Sequence, residues 1–423
     1  MKEGLYEMGF QQFFDDMKSN ISFVLKWMGI SIVLGGICGI VGALFHISID
    51  WVTQWRVAHS YIVFLLPIGG MIIVFLYHCV HLEYEPGTNT IIKSVRQQEH
   101  VPVLLAPAIF LATVVTHLFG GSSGREGAAL QIGGSIASSI GHLFNVDKKN
   151  MSILIMCGMS AVFSALFGTP LTATLFSMEV VSVGIFYYAA FVPCLCSSLV
   201  SFMIAQLFGC HKVAFPMSTA FEVDMIVVLK LVVFAFVVAL FSIVFVSMMH
   251  CSHRTFKKYF HNPYIRVSVG GLILMVLVVL FGQNYLGAGM DIVHDAIYDS
   301  VRSYDFLLKA IFTAITIGCG FKGGEIVPTF FIGATLGYVL GGFLGLDPHV
   351  CAALGLVSML CCVINSPVTS IVLGIEMFGS AYLIPFAIVA AFGYVLSGYL
   401  SLYQAQKIVY SKTSPEYIDR LAK

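Results

Sequence analysis

An all-α polytopic membrane protein built from two repeated halves is the fold the sequence predicts, and three observations predict it. Of 423 residues, 58% are hydrophobic and only 10% charged, with mean hydropathy +0.91, too apolar for a soluble fold of this length. The apolar residues gather in long runs and do not alternate as the strands of a membrane barrel would. Segments of the first half also recur in the second at nearly constant spacing.

The elements can be taken in order. Residues 1–20 mix Lys2, Glu3, Glu7, Asp15, Asp16 and Lys18 without the pattern of a removable signal peptide, so none is expected. Candidate spans then cover 23–45, 61–82, 101–119, 225–249, 267–281 and 381–400. This divides the chain into a cytoplasmic segment 1–22, a transmembrane domain 23–403 and a short tail 404–423 that leaves no room for a regulatory soluble domain. Basic residues in the tail (Lys407, Lys412, Arg420, Lys423) and in the Arg254-Lys257-Lys258 loop place those parts on the cytoplasmic side. Several of the eleven cysteines, Cys38, Cys157, Cys194, Cys196, Cys361 and Cys362 among them, lie inside apolar stretches as small hydrophobes. Neither a disulfide scaffold nor a zinc pattern is expected. Zero net charge and pI 7.2 argue against a nucleic-acid partner. An intramembrane enzyme would need H-E-x-x-H or a Ser/His pair on neighbouring helices, and neither is evident. No cofactor or metal is expected.

The repeat is specific. Gly124-Arg125-Glu126-Gly127-Ala128 overlays Gly324-Glu325-Ile326-Val327-Pro328 at an offset of 200, and Ile132-Gly133 then meets Ile332-Gly333. Further on, Gly158 and Pro170-Leu171-Thr172 through Glu179 meet Gly355 and Pro367-Val368-Thr369 through Glu376 at an offset of 197. The halves run over about 27–183 and 226–380. Repetition alone does not say whether they are parallel or inverted; an odd number of crossings per half would invert them. Stretches 124–140, 170–183, 327–340 and 367–378 are too short or too glycine-interrupted to span, and they read as broken helices around a midplane site.

Glu126 is the most telling residue. An ionisable group among apolar segments is expensive, and the residues after it open a helix, so its carboxylate stands at a positive helix N-terminus between Gly124, Arg125 and Gly127. Neutralise it and the same N–H groups are free to hold a mobile anion. One residue is then both occupant and gate.

These motifs, in this order and across essentially the whole chain to Tyr403, resemble the CLC family of chloride channels and anion/proton antiporters. Gly124-Arg125-Glu126-Gly127 is similar to its gating-glutamate motif, with Ala128 in place of the usual proline. Gly324-Glu325-Ile326-Val327-Pro328 resembles its second-half motif, with Ile326 where phenylalanine is usual, and Ser401-Leu402-Tyr403 resembles the segment whose tyrosine reaches the central anion. The resemblance implies a CLC-type fold of two inverted repeats with broken and tilted helices, without CBS domains, assembled as a homodimer with one pathway per subunit. It implies a multi-pass protein of the plasma membrane, in a bacterium the inner membrane. It also implies that Thr88, Asn89, Gly124, Arg125, Gly127, Ile326, Val327 and Tyr403 bind the anion.

Departures from the family pattern bear on substrate. The first anion-binding loop, usually G-S-G-I-P, is Gly87-Thr88-Asn89-Thr90-Ile91, and Glu325 adds a carboxylate to a motif that normally has none. Both changes resemble the bacterial branch that exports fluoride in exchange for protons. The inner proton glutamate of chloride/proton exchangers falls at Val180 and is absent, so Glu126 and Glu325 are the candidates for the proton path. The implied partners are fluoride or chloride, protons and the lipid bilayer. A chloride/proton antiporter or a passive chloride channel is the alternative reading.

Plainer roles stand beside these. Glu325 either serves transport or pairs with Lys322 or Arg125. Arg125 is expected to pin its loop, His117 to be a hydrogen-bonded interior histidine, and Glu179 and Glu376, at equivalent helix ends, to serve symmetric packing or salt-bridging. Thr88 and Asn89 can simply terminate a helix, and Tyr403 can be an interfacial tyrosine. The pairs Gly35-Gly36, Gly133-Gly134 and Gly341-Gly342 read as close helix contacts.

Overall fold

Among the described residues eight α-helices are followed by eight more in matching order. The first set is α1 (Lys2–Ala58), α2 (Leu66–Cys79), α3 (Thr88–Gln97), α4 (Leu105–Phe119), α5 (Glu126–Leu143), α6 (Lys148–Phe167), α7 (Pro170–Glu179) and α8 (Phe191–Leu207). The second is α9 (Met225–Tyr259), α10 (Pro263–Phe281), α11 (Met290–Tyr298), α12 (Asp305–Cys319), α13 (Ile326–Leu344), α14 (Pro348–Ile364), α15 (Pro367–Phe378) and α16 (Leu383–Leu396). This computed structural model describes residues 2–83, 87–99, 101–217, 219 and 221–422, with side chains from residue 13 onward. Met1, Lys423 and the side chains of Lys2, Glu3 and Glu7 lie outside the described residues.

The boundaries follow local chemistry. Asp147, Asp224 and Asp347 cap α6, α9 and α14 by accepting from backbone N–H groups of the first turn. Proline opens α7, α10, α14 and α15, where its missing N–H costs nothing. Helices α4, α5 and α6 start 200 residues before α12, α13 and α14. Because α6 has 20 residues and α14 has 17, the offset becomes 197 at α7 and α15. Helices α6 and α14 each end in a left-handed residue, Gly168 and Asn365.

Seven helices among the described residues are long and apolar enough to cross a membrane, including Lys148–Phe167, Tyr188–Leu207 and Ile326–Leu344. Two expected spans shorten: 101–119 becomes the 15-residue α4, and 381–400 becomes a short turn followed by the 14-residue α16. Conversely α13 has 19 residues, and its most apolar window is 72% buried in protein. Its glycines serve packing and leave the helix unbroken. A Cβ at Gly333 would lie 2.5 Å from the carbonyl oxygen of Gly355, while Gly133 meets Gly158 the same way in the first half. α1 runs continuously from Lys2 through residue 22 into the first span.

The halves are related by a two-fold arrangement. Gly124 and Gly324, equivalent in the repeat, exchange both backbone hydrogen bonds (2.6 and 2.7 Å) as an isolated antiparallel bridge. Equivalent residues pair with each other in this way only about a two-fold axis. The same relation recurs in α7 and α15. The Glu376 carboxylate accepts from Leu171 N, Thr172 N and Thr172 Oγ1, and the Glu179 carboxylate accepts from Val368 N, Thr369 N and Thr369 Oγ1. Each helix thus carries in its last turn the acid that caps the other, supplying acceptors for N–H groups that a Pro-initiated helix leaves orphaned. Among the described residues the two glutamates form hydrogen bonds and no salt bridge. Glu179→Ala is expected to destabilise the protein by about 2–4 kcal/mol, since it strands two backbone donors and a hydroxyl at a buried helix start. Thermal unfolding in detergent checks this, and a change under about 0.5 kcal/mol would refute the capping role.

The tail is not a free end. β1 (Ser182–Val183) pairs in parallel with β2 (Lys407–Tyr410), which pairs antiparallel with β3 (Tyr417–Leu421). Gln406 Nε2 donates to Val180 O and Ile364 O, and Lys412 Nζ donates to Asn365 Oδ1 and Tyr394 O at the ends of α14 and α16. The segment carrying Tyr403 lies between α16 and β2, anchored on both sides.

Candidate anion site where the halves meet

The Gly124–Gly324 bridge brings the first turns of α5 and α13 together, and glycine is required there. A Cβ at Gly324 would sit 2.6 Å from Gly127 N and 2.8 Å from Glu126 N. Gly324→Ala is therefore expected to force α5 and α13 apart, lowering stability by about 1–3 kcal/mol and ion flux by at least about tenfold. Flux from liposomes together with thermal unfolding checks both; native flux would refute the need for this close approach.

Glu126 is the first residue of α5 and fully buried. Its Oε2 accepts from Arg125 N (3.1 Å) and from Val327 N (3.2 Å). The sequence places this carboxylate at the start of its own helix; the structure has it also taking an N–H of α13, the equivalent helix of the other half. The two-fold contact is the reason, because it sets one helix start against the other. Ile326 and Val327 are the first two residues of α13, and the Val327 N–H is the one that donates to Glu126.

Around Gly127 the polar groups converge. Gly127 O accepts from Thr88 Oγ1 (3.3 Å) and from Gln131 Nε2 (3.1 Å), and Gln131 Nε2 also lies 3.3 Å from Thr88 Oγ1. A Cβ built on Gly127 would be 3.1 Å from Thr88 Oγ1 and 3.4 Å from Glu325 Oε2, so these two side chains meet at that glycine. Glu126, Glu325 and Tyr403 lie within electrostatic reach of one another.

Five buried polar atoms of this region have no hydrogen-bond partner among the described residues: Glu126 Oε1, Glu325 Oε2, Gln131 Oε1, Ser123 Oγ and the Tyr403 hydroxyl. Buried polar atoms are nearly always paired, so such a cluster marks a place where a proton, a water or an ion completes the bonding. Two carboxylates this close repel when both are charged, and a proton on either removes the repulsion. The arrangement therefore offers protonatable carboxyl groups beside the backbone N–H donors of the paired helix starts.

Other candidates are placed differently. Arg125 spends its guanidinium on Asp50 (2.9 Å), which also meets His46 Nε2 (3.0 Å), so it pins the loop to α1 and leaves only its backbone N–H on Glu126. Lys322 Nζ lies over the Tyr77 ring at 4.4 Å. Asn89 Oδ1 accepts from Ala405 N (2.9 Å), tying α3 to the Tyr403 segment. Val180 is buried and its carbonyl is held by Gln406, so no titratable group stands there. His117 is buried, but neither ring nitrogen has a partner among the described residues, contrary to the hydrogen-bonded histidine expected; its carbonyl takes Arg56 Nη1. The sequence reading missed Gln131 and Ser123. Gln131 carried a usable signal, an amide one turn after Gly127 in an otherwise small and apolar helix.

Comparison with known proteins gives a consistent result. The family model described as "Voltage gated chloride channel" matches residues 69–398. A relative from Pseudomonas syringae pv. tomato, called a chloride/fluoride channel protein, is 32% identical over 400 residues, covering 93% of this chain and 88% of its own length. The crystal structure of a CLC-type fluoride/proton antiporter superposes with a TM-score of 0.87 at 33% identity, covering 90% of this chain and 98% of that one. A slow cyanobacterial Cl⁻/H⁺ antiporter, at 20% identity and TM-score 0.74, covers 88% of this chain and 94% of its own and shares the fold.

Proposed function

This chain belongs to the CLC family of anion channels and transporters, and on that premise we propose that it exports fluoride in exchange for protons. The observation that carries the reading is the pair of carboxylates, Glu126 and Glu325, each with an unpartnered oxygen at the facing starts of α5 and α13. Ionised Glu126 holds the helix-start N–H groups and blocks the route. Protonation removes the charge that keeps it there, the side chain swings aside, and an anion takes the same donors. Anion and proton compete for one place, so their movements are linked.

Fluoride is small and strongly hydrated, so its site must replace water with close, rigid donors. The backbone N–H groups of Gly127, Ile326 and Val327, with Thr88, Asn89 and Tyr403, supply them. The fluoride/proton antiporter at 33% identity supports fluoride over chloride, and the name of the Pseudomonas relative includes fluoride beside chloride. The word channel in the first of those names favours, as second reading, a passive anion route through the same residues. The protein acts as a homodimer in the bacterial inner membrane in this proposal, with a separate pathway in each subunit.

Liposomes loaded with fluoride or chloride, with external pH recorded during efflux, test it. Fluoride efflux with obligatory proton uptake is the expected result. Preferential chloride efflux would overturn the substrate, and anion flow without proton movement would make the protein a channel.

A further inference from the structure

Tyr403 reaches the site from residues 397–406, a stretch of turns between α16 and β2, so its position must be set by neighbours. Ser401 Oγ accepts from Tyr403 N, and Gln406 fastens the segment to Val180 O and Ile364 O. A further grip comes from α3. The Ala405 N–H donates to Asn89 Oδ1 (2.9 Å), and the Ala405 carbonyl accepts from Arg96 Nη1 (2.6 Å). Asn89 and Arg96 are seven residues apart on a ten-residue helix, two turns along one face, so a single helix holds both polar groups of residue 405.

The same helix opens with Thr88, whose hydroxyl lies at Gly127 beside Glu325. The two side-chain hydroxyls of the site, Thr88 and Tyr403, are thereby parts of one assembly: Thr88 on α3, and Tyr403 two residues from the point that α3 clamps. We propose that Arg96, acting with Asn89 through Ala405, is a positioning residue that fixes the gap between the Thr88 and Tyr403 hydroxyls and so sets which anion fits. This rests on the reading of the site as the anion's. A small anion that must trade its water for close donors depends on that gap, whereas a larger one tolerates its widening. The Arg96 bond is charge-assisted, hence among the stronger single ties on the segment.

The experiment is a double-mutant cycle read in liposomes as flux against concentration for fluoride and for chloride. Arg96→Met is expected to lower the preference for fluoride over chloride about tenfold, through a raised fluoride KM with kcat largely kept. Arg96→Lys restores one charged donor and recovers part of the preference. In a Tyr403→Phe background Arg96→Met is expected to change nothing further, because it acts through the tyrosine. Equal losses for both anions, or effects that add across the cycle, would overturn the proposal and leave Arg96 as a plain structural tether. If Arg96→Met fails to fold, the cycle is run with Arg96→Lys. A native protein without fluoride preference would sink the fluoride reading alone; the cycle is then read on the KM of whichever anion the native protein prefers, where additivity overturns the clamp and its absence upholds it.

Discussion

Glu126→Gln is expected to abolish proton uptake coupled to anion efflux, lowering the proton-to-anion ratio at least about tenfold while the protein remains folded. The native carboxylate does two things in this structure. It satisfies two backbone donors, Arg125 N–H and Val327 N–H, and it fills the place at the start of α13 that a mobile anion would need. Glutamine keeps the shape and one acceptor oxygen, so the fold need not change. It cannot ionise, however, and its bonds to those amides are no longer charge-assisted, roughly halving their strength. The occupant is then permanently neutral, so proton binding no longer decides whether the route is open. Anion flux that continues must do so without protons and without dependence on pH between about 5 and 8; flux that stops shows that the ionised form is needed to complete the cycle. In both cases coupling is lost. Liposome efflux with simultaneous pH recording reads the ratio directly, and a mutant that still takes up protons in the native ratio would remove Glu126 from the gate.

The parts of this site visible in the sequence were those that repeat or that break a compositional rule. Glu126 stands out because a carboxylate among apolar runs demands a reason, and the offset of 200 places its equivalent at Ile326. The helix starts at Glu126 and Ile326 and at Pro170 and Pro367 bear out the offsets of 200 and 197. What pairs across the axis was hidden. Sequence order does not disclose that Gly124 binds Gly324, or that Glu179 caps the helix whose own last turn carries Glu376, the cap of α7, since such bonds join residues about 190–205 positions apart. Lengths were misjudged where burial replaces lipid: glycines in α13 look like interruptions in a span but are contact points against α14. The tail looked like leftover chain, yet polar residues such as Gln406 and Lys412 find their acceptors on helix ends far back in the sequence.

Glu325→Gln is expected to leave a folded protein and to cut proton coupling about tenfold, with a smaller effect on anion flux through the site. The argument turns on what Glu325 touches. Its Oε2 is buried beside Gly127 and Thr88 without a partner among the described residues, and Arg125, one cation that could have paired with it, is bound to Asp50 instead. A charged carboxylate beside a bound anion would repel it, so the group suits an anion-filled site only when protonated and donating a hydrogen bond. On the proposed reading, the same proton moves toward Glu126, the neighbouring carboxylate, when the anion leaves. Glutamine mimics the protonated state permanently: it can donate to the anion but cannot pass a proton on. The mutant therefore separates two roles that the native residue combines. Retained anion binding with lost coupling would assign Glu325 to the proton path. Unchanged coupling would leave it a packing residue, and proton exchange would then have to run through Glu126 alone. Thermal unfolding of the mutant excludes the trivial outcome, because replacing a carboxyl by an amide of equal size at an unpaired position should shift stability by less than about 1 kcal/mol.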